Sequence, residues 1–290
     1  MFEDLKNIFR GGNFIGQIVI LCASIFVVQN IIANISPAAG SEIYRWFAMH
    51  SFLPSVLTSP WSIITYMFLH GGFSHLFWNM VILYFFGRIV NDFMGKQRLM
   101  GLYFLGGIAG ALFYVFVYSL MHLGGETVVD VPLVGASAGI MAIVAFAGFR
   151  FGDVRMNLLL IGPVQLRYVA LGLFVMNTLL DLSMNTGGKM SHLGGAAFGF
   201  FYHRSLMKGN DPAIKFMGLF DWVKSFFQKK PKLRVVKNES QYSAPQSQTY
   251  EASDETQRKI DVILDKISKS GYDNLSKAEK EFLFKVSNNK

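Results

Sequence analysis

The stretch Val134-Gly135-Ala136-Ser137-Ala138-Gly139-Ile140-Met141 opens a long apolar run and places one serine among glycines and alanines. Small residues on both sides of a serine permit a sharp backbone turn and the close approach of other chain segments. Two interpretations follow. Ser137 is either a nucleophile presented at the mouth of the apolar run, or one of several small residues that let two membrane helices pack closely. This segment alone favours the packing interpretation, so a catalytic role for Ser137 needs support from other parts of the sequence.

The composition indicates an all-α polytopic membrane protein. Hydrophobic residues make up 52% of the 290 residues and charged residues only 16%, unlike ordinary soluble domains. Cys22 is the single cysteine, so a disulfide framework or a cysteine metal site cannot be built within the chain. The formal charge of +8 comes from basic residues beside apolar runs and in the tail. That distribution is typical of the cytoplasmic side of a membrane, and we expect no nucleic-acid partner.

Six apolar runs predict six transmembrane helices. They cover residues 14–35, 75–93, 99–121, 133–149, 166–182 and 190–206. The first run is too long for the core of a cleaved signal peptide, so we interpret it as a retained span. The long connection 36–74 contains prolines and aromatic residues, which predicts a location at the membrane interface.

Lysine and arginine are concentrated on one side of this topology. They gather in the N-terminal segment and in the second-to-third and fourth-to-fifth connections, whereas the opposite connections hold only Arg45 and Lys189. Because positive residues stay on the cytoplasmic side, we predict that both termini are cytoplasmic. A bacterial inner membrane is the expected location.

Four polar residues begin the even-numbered spans, which run in the same direction and so start at similar depth. They are His75 and Asn79 on the second span, Ser137 on the fourth and His192 on the sixth. Polar side chains within spans are costly unless they face a bundle interior or a water cavity, so each is a functional candidate. A serine hydroxyl needs a neighbouring base, and an imidazole is the usual one. We therefore predict a dyad of Ser137 and His192.

Glycine spacing predicts how this dyad is brought together. Gly135 and Gly139 on the fourth span, and Gly195 and Gly199 on the sixth, are each spaced i, i+4 and permit close helix packing. Asp181, near the outer end of the fifth span, is a candidate carboxylate for the third member of a catalytic triad. Neither the fourth nor the sixth helix holds one at matching depth, so a dyad is expected.

His75 and Asn79, also spaced i, i+4, share one helix face. Both side chains can donate hydrogen bonds to a developing oxyanion, alongside the backbone N–H of Ser137. The alternative is an interhelical hydrogen bond of purely structural value.

Together these segments resemble the rhomboid intramembrane serine proteases. The segment His70-Gly71-Gly72-Phe73-Ser74-His75-Leu76-Phe77-Trp78-Asn79 resembles their H-x-x-x-N segment, Gly135-Ala136-Ser137-Ala138 resembles G-x-S-x, and His192 with Gly195 and Gly199 resembles H-x-x-G-x-x-x-G. The resemblance implies a six-helix rhomboid-like bundle that cleaves transmembrane segments of other membrane proteins through an acyl-enzyme. It also implies that Ser137 is the nucleophile, that His192 is the general base, that His75 and Asn79 form the oxyanion hole, and that no metal or other cofactor is needed.

Two positions depart from the family pattern. Ala138 stands where many relatives have glycine, and Ser62 follows Trp61 where relatives often have arginine. A catalytically inactive rhomboid-like protein that binds client membrane proteins is the alternative function. A small-molecule transporter is less favoured, because we see no inverted repeats or charged pathway.

The domain organisation is predicted from changes in composition. We expect a cytoplasmic amphipathic segment at 1–13, the six-span domain at 14–207, a basic amphipathic juxtamembrane segment at 208–237, a flexible linker at 238–256 and a small cytoplasmic helical hairpin at 257–290. Basic residues at 229–234 are expected to contact anionic lipids. The pattern Ser276-Lys277-Ala278-Glu279 predicts a capping box at the start of the last helix.

Overall fold

The computed structural model describes residues 13–126, 129–158, 161–180, 186–227 and 251–287. The chain divides into two compact units, Met1–Lys229 and Lys230–Lys290. The described helices of the first unit are α1 (Phe14–Ile35), α2 (Pro37–Phe47), α3 (Leu53–Thr58), α4 (Ser62–Thr65), α5 (Phe73–Met94), α6 (Lys96–Leu123), α7 (Ser137–Arg150), α8 (Leu166–Phe174), α9 (Thr186–Met207) and α10 (Pro212–Phe227).

Short elements connect these helices. A 3-10 turn, Tyr66–Phe68, follows α4, and a π-helical turn, Val175–Leu179, continues α8. Strand β1 (Met49–His50) pairs antiparallel with β2 (Pro132–Leu133), and β3 (Arg155–Leu158) pairs antiparallel with β4 (Gly162–Gln165). The β1–β2 pair ties the connection before α5 to the segment that leads into α7.

Helix α7 is the centre of the first unit. Its residues from Ser137 to Val144 are all buried, and it packs against α5, α6, α8 and α9. A helix that is apolar all round is expected at the middle of a bundle, because each of its faces needs an apolar neighbour. Small side chains on α7 also let α6 come close, since a Cβ on Gly106 would lie 2.2 Å from Ala142 Cβ.

Three of the predicted spans match helices that are long and apolar enough to cross a membrane, namely α1, α5 and α6. Helices α7 and α8, with its π-helical continuation, are apolar but shorter. The predicted start of the fourth span at residue 133 is wrong, because Leu133 pairs with Met49 in the sheet and the helix begins at Ser137. The helix that corresponds to the sixth predicted span is α9, which begins at Thr186, before the predicted start at residue 190. Residues 181 and 182 of the fifth predicted span lie outside the described residues.

Helix α10 follows α9 after a short turn that is held by Asp211. The carboxylate accepts hydrogen bonds from Arg98 Nε (2.6 Å), Tyr202 Oη (3.0 Å) and the Ile214 amide (3.1 Å). Partial burial acts to raise the pKa of Asp211, but these hydrogen bonds outweigh it and hold the pKa below its ordinary value. The turn therefore anchors α10 beside the first turns of α6.

The second unit contains a helical hairpin of α11 (Glu251–Ser270) and α12 (Lys277–Ser287), joined by a 3-10 turn, Tyr272–Asn274. The predicted capping box is confirmed: the Ser276 amide donates to Glu279 Oε2 (2.7 Å) and the Glu279 amide donates to Ser276 Oγ (3.3 Å). The predicted linker boundary at residue 256 is wrong, because α11 already begins at Glu251. An i, i+4 ion pair between Glu255 and Lys259 (3.0 Å) supports that first part of the helix.

Three sequence predictions lie outside the described residues. They are the amphipathic segment before residue 13, the basic residues at 229–234 and the linker from 238 to 250.

Candidate active site

Ser137 is the first residue of α7 and is only 9% exposed. The first N–H groups of an α-helix have no carbonyl partner within the helix, and the helix dipole places partial positive charge there. The serine hydroxyl therefore lies at a helix end whose backbone favours negative charge. Gly135 and Ala136 supply the turn into the helix, and the Gly135 amide donates to the Tyr66 carbonyl (2.9 Å).

His75 lies directly beside this turn. Gly135 has a φ of +129°, and a Cβ at that position would lie 2.7 Å from His75 Cε1, 2.9 Å from His75 Nε2 and 3.6 Å from Ser137 Oγ. Both the backbone conformation and the available space therefore require glycine. The space left by the missing side chain has the imidazole of α5 on one side and the serine hydroxyl on the other.

His192, on α9, is oriented by the π-helical turn. Its Nδ1 lies 3.1 Å from the backbone carbonyl oxygen of Asn177. Because a carbonyl oxygen can only accept a hydrogen bond, Nδ1 carries the proton, and in the neutral ring Nε2 is left as the acceptor. This tautomer is the one a general base needs. An orienting carbonyl thus takes the place that a carboxylate occupies in a catalytic triad.

Helices α7 and α9 approach each other through Gly195 and Gly199. A Cβ on Gly195 would lie 2.1 Å from the Ala138 carbonyl oxygen, and one on Gly199 would lie 2.2 Å from the Ala142 carbonyl oxygen. The sequence prediction of close packing at Gly195 and Gly199 agrees with this contact, but the facing residues on α7 are alanines.

The predicted partners, Gly135 and Gly139, lie elsewhere. Gly135 precedes α7, and Gly139 faces α6, where a Cβ would lie 2.6 Å from the Tyr103 carbonyl oxygen. The physical reason is that successive residues of an α-helix point about 100° apart, so Ala138 and Ala142 face α9 while Gly139 faces α6.

Helix α6 packs against both α7 and α9 near Ser137. A Cβ on Gly110 of α6 would lie 2.5 Å from Ala138 Cβ and 2.6 Å from the Ser191 carbonyl oxygen. Ala138 and Ser191 therefore meet at one glycine, and each is the chain neighbour of a predicted dyad residue. The structure thus brings the N-terminal turn of α7 and the His192 turn of α9 together against α6.

Asn79 is 6% exposed on α5. Its Nδ2 donates to the carbonyl oxygen of His75, 2.9 Å away. This bond uses one amide hydrogen and holds the side chain on the His75 side of the helix, and the second hydrogen remains for another acceptor. The arrangement fits both the oxyanion and the structural interpretation of Asn79.

His70 is completely buried and packs edge-on against His75, with ring centroids 5.3 Å apart. Among the described residues, neither of its ring nitrogens has a hydrogen-bond partner. Burial, together with the neighbouring His75, lowers the pKa of His70 from 6.5 to about 4. Gln29 of α1 donates to the His70 carbonyl, so the first helix also supports this position.

Asp130 is a residue that the sequence interpretation missed. Its carboxylate accepts hydrogen bonds from the Ser51 amide (3.1 Å) and Ser55 Oγ (2.9 Å), and pairs with His50 Nδ1 (2.9 Å). These contacts hold the connection before α5 against the segment that leads through β2 to Ser137. A lone acidic residue just before Val131-Pro132 is the only signal in the sequence, and pairing it with residues about 80 positions away requires the fold.

Comparison with known proteins places these features in context. A family model described as a Rhomboid domain matches residues 57–209, and one described as a family of unknown function (DUF6576) matches residues 248–289. The chain is 28% identical to the presenilin-associated rhomboid-like protein A, mitochondrial, of Danio rerio, over 57% of this chain and 41% of that protein.

Two plant proteins are similar to a comparable degree. The rhomboid-like protein 16, chloroplastic, of Arabidopsis thaliana is 29% identical over 70% of this chain and 66% of its own length. The RHOMBOID-like protein 12, mitochondrial, of the same plant is 30% identical over 51% of this chain and 47% of its own length. The chain thus spans about half the length of the curated relatives it matches.

Proposed function

This chain belongs to the rhomboid family, and we propose that it is an intramembrane serine endopeptidase that cleaves transmembrane segments of other membrane proteins. The proposal rests most directly on His192. The Asn177 carbonyl selects the tautomer in which Nδ1 carries the proton and Nε2 is the basic nitrogen, and the contact at Gly195 holds α9 against the helix that Ser137 begins. A binding-only relative would have no need of a histidine oriented in this way.

The reaction begins when Ser137 Oγ attacks the scissile carbonyl carbon while His192 Nε2 takes the hydroxyl proton. The negative charge on the carbonyl oxygen is stabilised by the N-terminal N–H groups of α7, with hydrogen bonds from His75 and Asn79. Collapse of this intermediate breaks the peptide C–N bond, and the leaving amine takes the proton from His192. Water then attacks the acyl-enzyme, with His192 as base, and the product acid and free Ser137 are released.

The length of α7 supports a site inside the bilayer. A helix of 14 residues is only about 21 Å long, whereas the hydrocarbon layer is about 30 Å thick. Helix α7 therefore cannot cover the layer, and its serine end lies below the membrane surface in our proposal. Irregular backbone is tolerated at such depth where it lines a water-filled cavity, and we propose that the turn before Ser137 and the π-helical turn near His192 line one.

The proposed topology uses α1, α5, α6, α7, α8 and α9 as six spans. In this proposal both termini are cytoplasmic, which the distribution of lysine and arginine supports, and the membrane is a bacterial inner membrane. Substrates enter from the lipid as transmembrane segments, and the basic residues at 229–234 contact anionic lipids.

Covalent labelling tests the proposal. A fluorophosphonate reacts with a serine whose proton is taken by a neighbouring base, so purified protein should gain one adduct that peptide mass spectrometry maps to Ser137. His192→Ala should abolish this adduct, while Ser74→Ala, which removes a serine outside the proposed dyad, should leave it unchanged. Absence of labelling in folded wild-type protein would favour the inactive, client-binding alternative.

A further inference from the structure

A large groove runs along the second half of α7, up to the end of that helix, and along α8 and α9. It has a volume of about 1050 Å³ and is lined by α7, α8 and α9. Its walls are largely apolar and include Phe149, Leu171, Phe174, Leu193, Ala196 and Phe200. At its base the two helices α7 and α8 are in tight contact, since a Cβ on Gly148 would lie 2.7 Å from Ala170 Cβ.

Two arginines line the same groove, together with one carboxylate. Arg167 forms an ion pair with Asp153 and its Nε donates to the Gly152 carbonyl (3.4 Å). Arg150 is exposed, and within the part of the chain that the structure describes it has no carboxylate partner. The groove therefore combines an apolar interior with an arginine that no carboxylate of the described residues pairs with.

We propose that this groove binds an anionic phospholipid, with an acyl chain between α7, α8 and α9 and the phosphate at Arg150. The apolar walls include Phe149 and Leu171, which are 57% and 58% exposed, and in a membrane helical bundle such side chains face lipid. Basic pockets between transmembrane helices bind anionic headgroups, and a guanidinium pairs with phosphate through two parallel hydrogen bonds. Charge complementarity thus selects an anionic lipid over a zwitterionic one.

The proposed phosphate position is distinct from the candidate active site. Ser137 begins α7 and Arg150 ends it, so the two lie about 20 Å apart along the helix. Failure of the lipid proposal therefore leaves the proposed catalytic function untouched, and the reverse also holds.

Native mass spectrometry of the full-length detergent-solubilised protein tests the proposal. We expect phosphatidylglycerol to be retained about tenfold more tightly than phosphatidylcholine with the same acyl chains, because both lipids carry the phosphate but only phosphatidylcholine adds a choline cation, which Arg150 repels. Arg150→Gln should remove this preference, and Ala196→Phe should weaken binding of the chain by filling the groove. Arg88→Gln, which changes an exposed arginine outside the groove, is the matched control and should behave as wild type.

Two results would overturn the proposal. One is equal retention of the two lipids by wild type, and the other is Arg150→Gln indistinguishable from Arg88→Gln. A crosslinking measurement on the wild-type protein does not depend on whether the variants fold. Phosphatidylglycerol with a photoreactive acyl chain should crosslink mainly to the groove segments 145–150, 167–174 and 193–200. Crosslinks spread evenly over α1, α5 and α6 would equally reject a defined site.

Discussion

Gly195→Ala is the substitution that most sharply probes the contact between α7 and α9. The added Cβ would lie 2.1 Å from the Ala138 carbonyl oxygen, whereas ordinary contacts begin at 3.4 Å. Because the obstacle is backbone, α9 has to retreat by more than about 1 Å, and overpacking of this kind costs about 1–3 kcal/mol. A displacement of about 1 Å between reacting groups lowers rates by roughly 100-fold. We therefore expect a modest loss of stability and a much larger loss of Ser137 reactivity.

Two measurements on the same samples separate these effects. The rate of Ser137 modification by a fluorophosphonate reports the alignment with His192, and the thermal unfolding midpoint in detergent reports stability. Gly172→Ala on α8 is the matched control, because a Cβ there meets nothing within 4 Å. It should label at the wild-type rate and unfold at the same or a slightly higher temperature. If Gly195→Ala is labelled as fast as Gly172→Ala, the reasoning about this helix contact is wrong.

Three further predictions concern residues around the site. His70→Phe should make the free energy of unfolding less dependent on pH. In the wild type the buried ring resists protonation, so this free energy is at its full value above pH 6.5 and falls by up to about 3 kcal/mol as the pH drops towards about 4. Urea unfolding across that pH range measures the difference. Asn79→Ala should lower kcat by roughly 100-fold with little change in KM, because an oxyanion contact acts mainly in the transition state; an unchanged kcat would leave Asn79 a structural role. Asp130→Ala should speed amide hydrogen exchange in residues 129–136, because it leaves Ser51 and Ser55 without their acceptor, and unchanged exchange would show that this contact does not hold the segment.

The membrane class was accessible from the sequence, which also supplied the candidate site residues. Apolar runs of sufficient length predicted α1, α5 and α6 closely, because helix length and lipid solvation are local properties. The predicted common direction of the even-numbered spans made Ser137 and His192 candidates, since polar groups within spans are costly unless they face a bundle interior or a cavity.

What the sequence missed depends on contacts between distant segments. The start of α7 follows from the pairing of Leu133 with Met49, which no local pattern encodes. The group that contacts His192 Nδ1 is the backbone carbonyl of Asn177. Because every residue type has a backbone carbonyl, the sequence carries no signal for this contact, unlike a carboxylate such as that of Asp181. The glycines of α9 face Ala138 and Ala142 because of how α7 is rotated about its axis, which is set by its packing against several helices.

The most direct test of the account is cleavage of a transmembrane substrate in proteoliposomes. Wild-type protein, Ser137→Ala and His192→Ala are each reconstituted with a single-span substrate that carries small residues near the outer end of its helix. We predict that wild type alone releases two fragments and that both variants, folded as judged by their unfolding midpoints, release none. Cleavage by Ser137→Ala at the wild-type rate would contradict the assignment of this serine as the nucleophile.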